Sequence, residues 1–170
     1  MPTSAAPQLV KGQNAVLSAG EVVVTIDVGA AVDLSCLLVT EHGKVRSDAD
    51  FVFFNQPSGP GVVLRPAATG QPHALVVSLA AVPLDIAQIR VVITLDDAHA
   101  DFSRIPAPVA TVYSRLGELL LNYRIDGLRN ESVVIAIELY RRGAGWKVRA
   151  VGQGYAGGFA ELVTDHGVIV

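Results

Sequence analysis

The feature that most constrains this chain is its punctuation. Short runs of Val, Ile and Leu recur between clusters of Gly, Pro, Asn and Asp at intervals of about 8 to 12 residues, and long helical periodicity is nearly absent. A strand turns alternate residues to opposite faces, so such runs bury their apolar side only against a second layer. Strands are predicted at 15–17, 21–27, 33–40, 51–54, 62–64, 74–78, 88–95, 109–113, 118–125, 133–140 and 146–152. That number of strands predicts an all-β fold, a β-sandwich of two packed, mostly antiparallel sheets. One or two short helical turns complete it. The first is at 82–87, where Pro83 suits a first helical position and Asp85 the positive end of the dipole, and the second is at 156–165.

Tight turns are expected where glycine can take a positive φ, at Glu41-His42-Gly43 and at Arg142-Gly143-Ala144-Gly145. In the hairpin around the second turn, Ile135, Ile137 and Leu139 alternate with Val134, Ala136, Glu138 and Tyr140, so one face should be buried and the other wet. Trp146 and Val148 alternate likewise with Lys147 and Arg149, which places Trp146 in the core. The stretches 55–61 and 65–72 are rich in Gly and Pro and read as loops. With 170 residues and no linker or repeat, the organisation is a flexible tail at 1–8 and a single domain at 9–170.

Composition excludes several functions. Hydrophobic residues make up 51% of the chain and charged residues 17%, which is the profile of a folded domain and not of a disordered one. Thirteen Lys and Arg against 16 Asp and Glu leave a net charge of −3, so no general field recruits nucleic acid. The longest nearly apolar stretch, 74–84, is too short to span a bilayer. The opening MPTSAAPQ has neither the basic start nor the apolar centre of a secretory signal, and Cys36 has no second cysteine to pair with. A cytoplasmic location is therefore expected.

Candidate chemistry is sparse. Carboxylates gather at Asp48 and Asp50 and at Asp96, Asp97 and Asp101, with Asp27 and Asp33 single; each group reads as a calcium ligand set or as turn-forming residues. His42, His73, His99 and His166 show no paired metal-ligand spacing and read as exposed loop residues. Cys36 lies in an apolar run and reads as a buried structural thiol. The G-x-G-x-x-G spacing from Gly152 to Gly157 opens no βαβ unit. Arg141, Arg142, Lys147 and Arg149 beside Trp146 form either an anion site or a solvated sheet face. No nucleophile and base are recognisable as a pair, so no enzymatic activity is expected.

Four segments carry a family resemblance: LVKGQN at 9–14, GKVRSDADFVFFN at 43–55, ELYRR at 138–142 and WKVRAVGQGYAGG at 146–158. Their sequence and order resemble the TerD family of bacterial tellurium-resistance and stress-response proteins. The resemblance implies a two-sheet β-sandwich and a non-enzymatic role in cytoplasmic stress response, exerted through other proteins and often accompanied by calcium binding. Calcium-binding members look like DxDLDAS before the second strand and carry a long acidic loop further on. Here Asp33 matches the last Asp of that motif, while Gly29 and Ala31 stand where acids are expected, and the loop 65–73 holds no carboxylate. The expectation is a divergent member without a dedicated cofactor, whose calcium binding is weak or absent. The alternative is a single retained cation site built on Asp33, Asp48 and Asp50. Within GKVRSDADFVFFN, Asp48 and Asp50 should organise the turn into the Phe51 strand, with Asn55 closing its far end.

Overall fold

The computed structural model describes residues 6–68, 70–97 and 99–168. The segments alternate as the sequence reading expects, and they assemble into two sheets facing one another. The first sheet holds β1 (Gln8–Leu9), β3 (Glu21–Asp27), β6 (Ser58–Gly59), β7 (Val62–Arg65), β8 (Ala74–Ser78), β10 (Val109–Ser114) and β11 (Leu119–Arg124), in the order β1-β11-β10-β3-β8-β7-β6. The second holds β2 (Asn14–Leu17), β4 (Val32–Val39), β5 (Phe51–Val52), β9 (Gln88–Leu95), β12 (Val133–Arg142) and β13 (Gly145–Tyr155), in the order β2-β13-β12-β9-β4-β5. Every pairing is antiparallel except that of β1 with β11. Gln8, the last residue of the expected tail, pairs with Asn122. Residues 1–5 lie outside the described residues.

The two sheets are buried differently. Along β3, Val22, Val24 and Ile26 are buried while Glu21, Val23 and Thr25 are half-buried and Asp27 is exposed, the alternation of a sheet with one wet face. Along β4 every residue from Leu34 to Val39 is buried. The cause is helix α1 (Gly158–Asp165), the second of the two expected helical turns, whose Leu162 and Val163 cover the outer face of the second sheet. Leu37, Val39, Phe51, Val92, Val133, Ile135 and Tyr155 form with them an apolar cluster apart from the core between the sheets.

The expected strict alternation in β12 does not hold. Its register shifts between Ile135 and Ile137 against both neighbouring strands: opposite β9, Ala136 is the extra residue of a β-bulge, whereas opposite β13 the extra residue lies on β13, where Val151 and Gly152 stand against the single Ala136. Ile135 consequently points outward under α1, whereas Val134, Ala136, Ile137 and Leu139 all join the inner core. The facing strand yields at Gly152, with φ of 65°, where a Cβ would collide with the Tyr123 hydroxyl. Trp146 packs in the inner core while Arg149 is exposed and Lys147 half-buried, as alternation requires.

Both expected tight turns form, with Gly43 at φ 76° and Gly143 at φ 60°. After Gly43, however, the chain makes a 3-10 turn at Asp48–Asp50 before β5, and β5 stops at Val52 because Phe53 and Gln56 bond to each other across a turn. The helical turn expected at 82–87 is reduced to one bond, Ile86 N–H to the Pro83 carbonyl at 3.0 Å; a 3-10 turn falls earlier, at Leu79–Ala81. No helix among the described residues is long and apolar enough to cross a membrane.

Candidate functional site

The motif GKVRSDADFVFFN folds around Arg46. Its guanidinium meets Asp50 through two parallel bonds, Nε to Oδ2 and Nη2 to Oδ1, both 2.9 Å, and its backbone N–H gives Oδ2 a third, also 2.9 Å. The remaining arm, Nη1, donates to Asp85 at 2.9 Å. Asp50 is only 1% exposed, and the paired geometry that suits a guanidinium to a carboxylate compensates its desolvation. The hydrogen bond to Asp50 holds Arg46 more firmly protonated than a free guanidinium. Ser47 accepts from the Ala49 N–H and so caps the 3-10 turn that carries Asp48 and Asp50. The far end is closed by Gln56 and not by Asn55: Gln56 Nε2 donates to the carbonyls of Asp48 and Phe51, each at 2.7 Å.

Asp33 stands elsewhere. It is half-buried, just before the buried stretch of β4, and pairs in register with Thr94, whereas Phe51, next to Asp50, pairs with Leu37. Four residues of strand, about 13 Å, therefore separate the Asp33 level from the Phe51 level. Asp33, Asp48 and Asp50 are not brought together. Asp33 instead lines a cleft of about 380 Å³ with Asp27, Asp96 and His73. Burial, then the Asp96 charge, raise the Asp33 pKa, and His73 partly offsets them. Asp96 was legible as an acid following a strand, but only the antiparallel pairing of β4 with β9 shows that it returns to Asp33. The described residues contain no group of three or more His, Cys, Asp or Glu side chains arranged to hold a metal ion. A calcium ion takes six to eight oxygen ligands, and the residues present do not fit that cage.

Of the histidines, His42 and His99 are exposed as expected, and His73 is half-buried with Nδ1 accepting from the Ala67 N–H at 2.9 Å. His166 is not an exposed loop residue. It is fully buried at the end of α1, where Nδ1 lies 2.7 Å from the Leu162 carbonyl and Nε2 2.8 Å from Arg90 Nη1. These partners assign the proton to Nδ1, and burial, with the Arg90 charge adding to it, pushes the ring pKa down. Arg90 also donates to Glu138 at 3.2 Å, which accepts Arg149 at the same distance. The network pins α1 to the sheet. Its sequence signal was faint, since a histidine followed by glycine reads as a turn.

The basic hairpin is largely engaged with the protein itself. Arg141 stacks on Trp146 with its guanidinium carbon 4.5 Å from the ring centre, and it donates to the carbonyls of Val82, Pro83 and Ile86. Arg149 lies over Tyr140 at 4.5 Å and binds Glu138. These contacts fit the solvated-face reading better than an anion site. Cys36 is fully buried, which pushes its thiol pKa up.

Fold and site together define a two-sheet β-sandwich whose acidic positions serve partly as structural clamps. Residues 6–166 match the TerD domain, and the chain belongs to the TerD family. It is 37% identical over 150 residues to general stress protein 16U of Bacillus subtilis (strain 168), a match covering 81% of this chain and 78% of that protein. It is 32% identical over 148 residues to the tellurium resistance protein TerD of Serratia marcescens, covering 80% of this chain and 77% of the relative. The crystal structure of a homologue of the telluride resistance protein (TerD) from Streptomyces coelicolor A3(2) superposes with a TM-score of 0.68 at 15% identity, over 86% of this chain and 96% of that one. That likeness speaks for the fold alone.

Proposed function

We propose that this chain is a non-catalytic component of a stress-response or tellurium-resistance system, working in the cytoplasm through contacts with other proteins and binding calcium weakly or not at all. The observation that carries the reading on calcium is the separation of the acids: Asp50 is clamped by Arg46, while Asp33 lies about 13 Å along β4 from the level of Phe51, the residue after Asp50. The loop 65–73, acidic in calcium-binding relatives, contributes Arg65 and no carboxylate. The non-catalytic reading is supported by the engagement of the reactive side chains. Cys36 is enclosed in the core, and His166 is held by Arg90 and a main-chain carbonyl.

A second reading has one observation in its favour. Asp33, Asp96 and Asp27 line the same cleft, so a single cation would be sought there and not at Asp48 or Asp50. Calorimetric titration with calcium separates the two. The expected result is a dissociation constant no tighter than about 10⁻⁴ M, the range of modules with few anionic ligands. A saturable site near 10⁻⁶ M, lost in Asp33→Asn, would establish the second reading. For the role itself, a host lacking this gene should become sensitive to tellurite or chemical stress. The Cys36→Ala protein should restore resistance, because no step uses the thiol; failure of a folded Cys36→Ala protein to do so would contradict the non-catalytic reading.

A further inference from the structure

The outer face of the second sheet carries a recess of about 240 Å³ that neither the clamp at Arg46 nor the packing of α1 accounts for. Its floor comes from β4 and β9. Ser35 is 3% exposed, yet its Oγ has no hydrogen-bond partner, and the shielded Oγ1 of Thr94 on the neighbouring strand has none either. Asp33 pairs with Thr94 and Ser35 pairs with Val92, so all three polar side chains leave the same face within two residues of strand. A buried hydroxyl without a protein partner costs free energy, and two on one face of the sheet are both available to bond a bound molecule.

The walls are aromatic. Phe159 of α1 packs on Phe51 at 5.6 Å, Phe51 stacks on Phe53 at 4.5 Å, and Phe53 meets Phe54 edge-on at 5.4 Å, so a continuous row of rings runs toward the opening. Phe54, at the rim, is 65% exposed and so leaves most of its ring open to a molecule entering the recess. Asp96 adds a second carboxylate to the lining.

We propose that this recess binds a primary ammonium group, carried by a small amine or by a lysine side chain of a partner. A primary ammonium has three N–H donors and no acceptor; the Asp33 carboxylate and the Ser35 and Thr94 hydroxyls supply three acceptors. The phenylalanine faces favour a cation with an apolar stem, by the attraction between positive charge and the ring quadrupole. A hydrated divalent metal ion gains nothing from such walls. The volume lies below the roughly 300–1,000 Å³ of sites for drug-sized molecules, which fits a short alkylamine or the end of one side chain.

The test is an amide NMR titration of the full chain with n-butylammonium, tetramethylammonium and 1-pentanol. Saturable shifts are expected from n-butylammonium at residues 33–35, 53–54, 94–96 and 159, with half-saturation at or below about 10 mM. Tetramethylammonium, which lacks N–H donors, and 1-pentanol, which lacks charge, should each bind at least about tenfold more weakly. Asp33→Asn should weaken n-butylammonium binding by about tenfold or more, and the rim variant Phe54→Ala, which removes no buried group, by about two- to fivefold. A blocked tripeptide with a central lysine distinguishes the sources: tighter binding than n-butylammonium assigns the group to a protein partner, weaker binding to a free amine. Absence of saturable shifts up to about 10 mM, equal binding of 1-pentanol, or unchanged affinity in both Ser35→Ala and Phe54→Ala would overturn the proposal.

Discussion

Asp50 is the residue at which sequence and structure weigh most differently on function. An acid in a D-x-D pair reads as a metal ligand, but both of its oxygens are occupied by Arg46, which carries a charge of the sign a cation would bring. Removing one partner of such a pair leaves the other uncompensated, a loss of about 3–5 kcal/mol for a fully buried pair. Arg46 is about one-third exposed and keeps Asp85, so Asp50→Ala should cost about 2–3 kcal/mol, read by urea denaturation in calcium-free buffer. A loss under about 0.5 kcal/mol would return Asp50 to the role of a metal ligand. His166 gives the second prediction at this scale. Its folded pKa is depressed, so the unfolded chain binds a proton that the native chain refuses, and stability rises with pH through that interval. The contribution is present above the unfolded value of about 6.5 and is lost as pH falls from there toward the lower folded value. Relative to the parent, His166→Gln should flatten the dependence of stability on pH below about 6.5, by at most about 1.4 kcal/mol per pH unit for one proton. An identical slope in both proteins would contradict the assignment of a neutral His166.

At the scale of elements, the strands were legible because each is a short β-branched run closed by turn residues, and the turns at Gly43 and Gly143 because only glycine takes their φ without strain. The bulge at Ala136 was not legible. V-V-I-A-I-E-L alternates as well without it, and only pairing with β9 and β13 shows the parity changing. The double burial of β4 was hidden likewise, since its cause is α1, more than a hundred residues later. Of the candidate site, Asp33 was visible as a strand residue beside a shortened loop. Its meeting with Asp96 and the partnerless hydroxyls of Ser35 and Thr94 depend on strand register, which side-chain periodicity does not encode. The packing of α1 makes its own prediction. Leu162 is fully buried against the outer face of the second sheet, so Leu162→Ala should destabilise by about 2–5 kcal/mol, the range for a large-to-small change in a packed site. A cost below about 1 kcal/mol would mean that the helix is only loosely docked.

For the whole molecule, the sandwich supplies a rigid frame and the acids are distributed over it without converging. Asp33, Asp27 and Asp96 border one cleft, Asp50 is clamped by Arg46 in the turn before β5, and the loop 65–73, whose Ala67, Pro72 and His73 line the cleft, holds Arg65 and no carboxylate. Calcium affinity follows the number and rigidity of anionic oxygens, and this arrangement offers few. A ligand bound only by the folded state stabilises it by about 2.7 kcal/mol at one hundred times its dissociation constant, so even a site near 10⁻⁵ M would be felt at about 1 mM calcium. The most direct measurement is therefore the thermal midpoint of the intact chain in chelator and in about 1 mM calcium. The separation of the acids predicts the same midpoint in both, within error; a reproducible upward shift in calcium, lost in Asp33→Asn, would contradict it.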